Sequence, residues 1–257
     1  MIDYNFNSER EAELLINYNL TSSGNYDNLN YIYSNVDDEN FSKLVELMNF
    51  STSFGSEYKG QILGNTLNAT GHFSEGSGSK GFFFEGQSYI NIADAGSQDY
   101  ENYSFIFSQE KVSVDPEIIF SNFQNDINDP KGFEFGINAA NKLYFEYINS
   151  SGSNVFTLNT IAHKKNIYSV EINKEAGRLN LSWWNPYEED FDSQSFYIDS
   201  NYIIKSDSWN IGSGSYSSMS CNGYVDRFLF FDNLVGSTEK ELICRSMYQN
   251  MEYIDPV

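Results

Sequence analysis

From residue 80 onward the chain alternates apolar and polar positions with period two, the signature of half-buried strands. In Phe82-Phe83-Phe84-Glu85-Gly86-Gln87-Ser88-Tyr89-Ile90-Asn91-Ile92, Phe82 and Phe84 share one face, and Gly86 offers the freedom for a sharp hairpin before Tyr89. Tyr103-Ser104-Phe105-Ile106-Phe107 is the next strand. Ile118, Ile119 and Phe120 open another, which ends in the loop 125–132. Phe133, Phe135 and Ile137 alternate, Asn138-Ala139-Ala140-Asn141 turns the chain, and Leu143, Phe145 and Tyr147 alternate in return. A short strand follows from Val155 to Leu158, then a hairpin of 167–172 and 179–183 around Lys174-Glu175-Ala176-Gly177. Phe196-Tyr197-Ile198 and Trp209-Asn210-Ile211-Gly212 are weaker strand signals, and Tyr224 to Asp232 is a strong one. The Gly/Ser tract 212–218 reads as a loop within the fold, because strands resume directly after it.

Helical spacing appears at the two ends. Ser8-Glu9-Arg10-Glu11 fits a capping box with Ala12, Leu15 and Ile16 on one face, although Ile16, Tyr18 and Leu20 equally permit a strand. Phe41, Leu44, Val45 and Met48 follow i, i+3, i+4, i+7 spacing and predict a short amphipathic helix over a sheet. Ile62, Leu63 and Leu67 lead into an edge strand. Thr238 to Glu241 forms a second capping box ahead of Leu242, Ile243 and Met247, predicting a closing helix. With no internal repeat and no boundary, residues 1–257 are expected to form a single all-β domain, with a less regular part (1–57) packed on a core spanning 58–250.

Composition narrows the partners. Phe and Tyr, 21 and 19 in number, favour strands. The formal charge of −21 excludes a nucleic-acid partner, which needs Lys and Arg against phosphate, and unassisted binding to anionic membranes. Nothing approaches the roughly 20 apolar residues of a membrane span, so no membrane insertion is expected. The start, Met1-Ile2-Asp3-Tyr4-Asn5, lacks the basic and apolar regions of a signal peptide. Cys221 and Cys244 are too few for a disulfide scaffold; they either pair or remain reduced and buried, as suits a chain made in a cytosol.

Candidate chemistry lies in the loops. Asp126, Asn128 and Asp129 supply the oxygens a calcium ion takes, though the same Asx residues before Pro130 also make a plain turn. Asp94, Asp99 and Glu101 form a second acidic loop. Glu188, Glu189, Asp190 and Asp192 cluster after Trp183-Trp184, which invites a glycoside-hydrolase reading, but an acidic loop around Pro186 accounts for them better. Trp184, Tyr187 and Trp209 are candidate platforms for sugar rings, or else core or subunit-interface residues. His72 and His163 stand apart from any Ser or Cys motif, no P-loop is present, and no catalytic residue is assigned.

The order of these signals resembles the laminin-G-like, concanavalin-A-like jelly-roll superfamily. Residues 81–92 match its G-x-x-F-x-G-x-x-Y-I-x-I strand pair, and Tyr103 to Phe107 stands at its F-T-I-S-x-W strand. Gly132 to Ile137 with Lys142 to Phe145 is similar to its central hairpin, and Gly223 to Phe228 plus the capped helix is similar to its ending. The resemblance implies a two-sheet antiparallel jelly-roll sandwich, with glycans or proteins bound on rim loops or the concave sheet, often with calcium. A lectin-like fold without an export signal then suggests a non-enzymatic structural or adhesion subunit of an assembled particle, such as a bacteriophage virion or tail. Such a subunit would be made in the host cytosol, be oligomeric with other virion subunits, and touch a surface polysaccharide. The alternatives are a soluble carbohydrate-binding module, calcium-assisted or not, and a glycoside hydrolase with two carboxylates on the concave sheet.

Overall fold

The computed structural model describes residues 44–49, 58–59, 66–75, 82–93, 100–123, 132–149, 151–160, 165–185, 188–203, 208–214 and 220–252. Its strands are β1 (Leu44–Asn49), β2 (Tyr58–Lys59), β3 (Thr66–Glu75), β4 (Phe82–Ala93), β5 (Asn102–Lys111), β6 (Glu117–Ser121) and β7 (Phe133–Ile137). They continue with β8 (Leu143–Asn149), β9 (Gly152–Thr157), β10 (Lys165–Asn173), β11 (Arg178–Asn185), β12 (Asp190–Tyr197), β13 (Ser208–Ile211) and β14 (Gly223–Phe231). A 3-10 turn, Ser200–Tyr202, precedes β13, and one helix, α1 (Ser237–Glu252), follows β14.

These strands make two antiparallel sheets packed as a jelly-roll-like sandwich. The first sheet runs β12-β11-β10-β5-β14, and the second runs β4-β13-β6-β7-β8-β9 with β3 and β2 beyond β4. β4 belongs to both. Its residues 82–84 pair with β14, whereas 90–93 pair with β13. The remaining length of β14, residues 227–231, pairs with β1.

Alternation explains the core. Tyr103, Phe105 and Phe107 of β5 face inward, as do Phe133 and Phe135 of β7 and Trp209 of β13. Rings from opposite sheets meet there: Phe105 lies 4.9 Å from Phe120 and 5.3 Å from Phe135, and Trp209 lies 4.7 Å from Phe230. Such edge-to-face and offset pairs add to the area they bury. In β14, Val225 and Phe228 both point inward although three residues apart, because a bulge between them resets the phase. Gly136 is required by close approach: a Cβ there would stand 1.9 Å from the Glu117 carbonyl oxygen.

The outer face of the first sheet is apolar too, and α1 covers it. Ile106, Ile167, Leu229 and Phe231 pack with Ile243, Cys244 and Met247 of the helix. Lys240 Nζ reaches Glu171 at 2.7 Å, a buried ion pair that ties helix to sheet. Leu242, expected on the apolar face, is only half-buried and stands outside this cluster.

Two expectations are corrected. Residues 44–49 form a strand instead of a helix, because β14 offers them an open ladder edge and cross-strand pairing outweighs the helical spacing. Gly86 makes no hairpin. Phe82–Ala93 is one strand, and Gly86, Gln87 and Ser88 form a bulge opposite Gly71 between the pairs Thr70–Tyr89 and His72–Glu85. Glycine inside a strand marks such bends, and here the bend lies between the two parts of β4 that serve different sheets. The helix expected from Ser8 lies outside the described residues.

Candidate functional site

On the face away from the core the second sheet carries a row of polar residues, buried along β6 and β7, where Ser121 is 0% exposed and Glu134 2%, and accessible at β8 and β9. Each inward apolar residue on its strands is flanked by outward ones, and the register lines these up. Asn91 stands opposite Asn210, Asn210 opposite Ser121, Ser121 opposite Glu134, Glu134 opposite Glu146, and Glu146 opposite Val155. In the ladder beyond β4, Asn68 of β3 pairs with Asn91. The amides are linked directly, Asn91 Nδ2 donating to Asn210 Oδ1 at 2.9 Å. β7 contributes Glu134 because Phe133 and Phe135 must face the core; β8 contributes Glu146 because Phe145 and Tyr147 must.

At β7–β9 this row widens into a shelf with a buried floor and an open rim. Glu134 is 2% exposed and Tyr144 4%. The Tyr144 hydroxyl donates to Glu134 Oε1 at 3.4 Å, while Glu134 Oε2 has no hydrogen-bond partner. Glu146 is half-exposed, and Ser153 donates to its Oε1. Val155, 54% exposed, supplies an apolar patch beside them. Burial, and then the neighbouring Glu146 carboxylate, push the Glu134 carboxyl up to about 7, against the bond from Tyr144. Burial, the Glu134 and Glu146 charges and the same bond raise the Tyr144 phenol, so it stays a donor at neutral pH.

A second buried polar group lies inside the sandwich. Gln109 Nε2 donates to Glu117 Oε2 at 2.8 Å, and Ser113 Oγ donates to Oε1 at 3.4 Å. Burial raises Glu117 to about 7, opposed by Lys111. Lys111 Nζ in turn donates to Asn141 Oδ1 at 3.0 Å. The Cys221 thiol donates to Glu117 Oε2 at 3.9 Å, and burial, then Glu117, hold it far above its ordinary value. Glu117 is fully buried and its partners are internal, so this group serves the fold.

The residues expected to carry chemistry are placed as follows. Trp209 is 2% exposed among Phe105, Phe120 and Phe230, and Trp184 is 2% exposed against Phe191 in the cluster beneath α1. Both rings are spent on packing and present no face to a sugar. Tyr187 lies outside the described residues, as do Asp126, Asn128, Asp129, Asp94 and Asp99. Among the described residues no three His, Cys, Asp or Glu side chains are placed to hold a metal. The acids after Trp184 are dispersed: Glu189 pairs with Arg245 of α1 at 2.9 Å, and Asp192, in β12, accepts a hydrogen bond from Thr160. Cys221 and Cys244 are free and buried. No helix among the described residues is long and apolar enough to cross a membrane. Glu134 and Glu146 escaped the sequence reading, although Phe133-Glu134-Phe135 and Phe145-Glu146-Tyr147 place each acid between two inward rings.

No protein-family description and no curated protein matches the sequence. Solved structures do match the fold. A structure of botulinum neurotoxin type C, described by its interaction with two ganglioside molecules, aligns with a TM-score of 0.61 at 12% identity over 81% of this chain and 52% of the toxin chain. A Trypanosoma rangeli sialidase aligns at 0.60 with 10% identity, over 81% of this chain and 33% of its own. Domain 4 of AbnA, an extracellular arabinanase of Geobacillus stearothermophilus in complex with arabinotriose, aligns at 0.54 with 13% identity, over 79% of this chain and 98% of that domain. This chain thus spans about half the toxin chain and nearly all of the arabinanase domain. At these identities the likeness establishes the fold. The particle-subunit expectation gains nothing from it.

Proposed function

We propose that this protein is a carbohydrate-binding module that holds a glycan on the outer face of its second sheet, at the β7–β9 shelf. The observation that carries this reading is the β8–β9 end of the polar row, where Glu146 is reachable and Ser153 and Val155 beside it are exposed. Vicinal sugar hydroxyls donate to a carboxylate and exchange hydrogen bonds with amides and hydroxyls. The apolar edge of a sugar ring suits the exposed Val155. The occurrence of an arabinotriose complex in a domain of the same fold supports starting with neutral plant and microbial oligosaccharides.

The test is a glycan microarray probed with the purified chain, followed by calorimetry on the best ligand. Glu146→Ala is expected to weaken binding about 10–100-fold, the loss of one charge-assisted hydrogen bond. Asn210→Ala, at the far end of the row, should cost less. Silence across the array, or unaltered affinity in Glu146→Ala, removes the reading.

Glycoside hydrolysis has one observation in its favour, the adjacent pair Glu134 and Glu146 with one carboxyl raised to about 7. Against it, Glu134 is 2% exposed, out of reach of a glycosidic oxygen. Release of reducing ends from the bound oligosaccharide, lost in Glu134→Gln, is the result that would establish it; no release leaves binding as the function.

A further inference from the structure

We propose that the β7–β9 shelf discriminates by charge, accepting glycans without acidic groups and rejecting uronate-, sialate- and sulfate-bearing chains; this rests on the glycan-binding reading above. The two sheets differ in their cations. β5, β10, β11 and β14 carry Lys111, Lys165, Arg178 and Arg227. The strands of the second sheet, β3, β4, β6, β7, β8, β9 and β13, carry no Lys or Arg at all. Lys59, on the two-residue β2 beyond β3, is the exception and lies far along the register from β8.

At the shelf itself the charge is acidic. Glu134 and Glu146 are direct cross-strand neighbours, and a ligand seated on Glu146 lies within a residue of both. Ser153 occupies Glu146 Oε1 and leaves Oε2 as an acceptor, which a hydroxyl can donate to and a second carboxylate cannot. Glu134 Oε2, buried beneath the shelf, has no hydrogen-bond donor to offset its own charge. An acidic sugar on this shelf would meet the Glu146 carboxylate, with Glu134 buried beside it, and no Lys or Arg from the described strands of the sheet; Lys142 lies in the turn before β8, four residues from Glu146. The chain's charge of −21 adds long-range repulsion of the same sign. Discrimination of this kind works by an unfavourable contact with the wrong ligand as much as by a favourable one with the right ligand.

The experiment uses the full chain and pairs of ligands that share a backbone: lactose with 3′-sialyllactose, methyl-esterified with de-esterified oligogalacturonate, and unsulfated with sulfated oligosaccharides, measured by calorimetry. At about 50 mM NaCl the neutral member should bind at least about 10-fold more tightly, and the ratio should shrink toward unity at about 500 mM, where surface charges are screened. Glu146→Gln, which keeps the shape and an acceptor for Ser153, should narrow the ratio at low salt. Should that variant fold poorly, the salt dependence of the wild-type ratio decides alone. Equal or tighter binding of the acidic members at low salt overturns the proposal and leaves glycan binding standing. If neither member of any pair binds, and no array glycan does, both readings fall together.

Discussion

At the scale of the residue, two carboxyls couple the fold to pH. Glu117 and Glu134 are both raised by burial from an ordinary 4.5 to about 7. The folded chain therefore keeps protons that the unfolded chain releases, and stability contributed by these groups is full below about 4.5 and lost as pH rises through about 7. Thermal melts should show Tm falling across that window. Glu117→Gln and Glu134→Gln should each flatten the fall, since an amide needs no proton to stay neutral; slopes identical to wild type would contradict the assignment. Gly136 makes a sharper prediction. With a Cβ 1.9 Å from the Glu117 carbonyl, Gly136→Ala forces β6 and β7 apart and should cost about 1–3 kcal/mol in denaturant unfolding. Residues of this sort were hard to read in the sequence. Glu134 and Glu146 sit in ordinary F-E-F and F-E-Y alternation, and only the register that sets them side by side gives them meaning.

At the scale of the element, the strands were legible and their ends were not. Period-two alternation located β5, β7, β8, β10, β11 and β14, because a strand with one buried face must write that face into the sequence. The misreadings share a cause: the partner decides. Leu44, Val45 and Met48 carry helical spacing, yet β14 supplies a ladder edge and the segment becomes β1. Gly86 suits a turn, yet the strand continues through it because β14 and β13 await its two parts. The C-terminal helix was readable, since Ile243 and Met247 needed an apolar surface, but it starts at Ser237, so the cap expected at Thr238 lies inside it. That surface is testable. Ile243→Ala removes a fully buried contact beneath α1 and should cost about 2–4 kcal/mol. Lys240→Ala strands Glu171 in a buried site and should cost about 3 kcal/mol or more, whereas the double change Lys240→Met with Glu171→Leu should recover most of it. Equal losses in the single and double variants would show that the ion pair is not what those residues contribute.

At the scale of the whole molecule, a division of labour between the sheets emerges. The first sheet spends one face in the sandwich core and, along β5, β10 and β14, the other under α1. The second spends one face on the core, buries most of the other along β6 and β7, and exposes it at β8 and β9 through Glu146, Ser153 and Val155. The aromatic content that suggested sugar platforms went inward instead, where Trp209 meets Phe230 at 4.7 Å. A chain rich in Phe and Tyr fills a sandwich core before it decorates a surface, and composition alone does not tell the two uses apart. The most direct test is a hydrogen-exchange footprint taken with and without the best oligosaccharide from the array. The account predicts slowed exchange across Phe133–Ile137, Leu143–Asn149 and Gly152–Thr157. Protection confined to Arg178–Asn185, Asp190–Tyr197 or the helix Ser237–Glu252 would contradict it, and would move the binding surface to the other sheet.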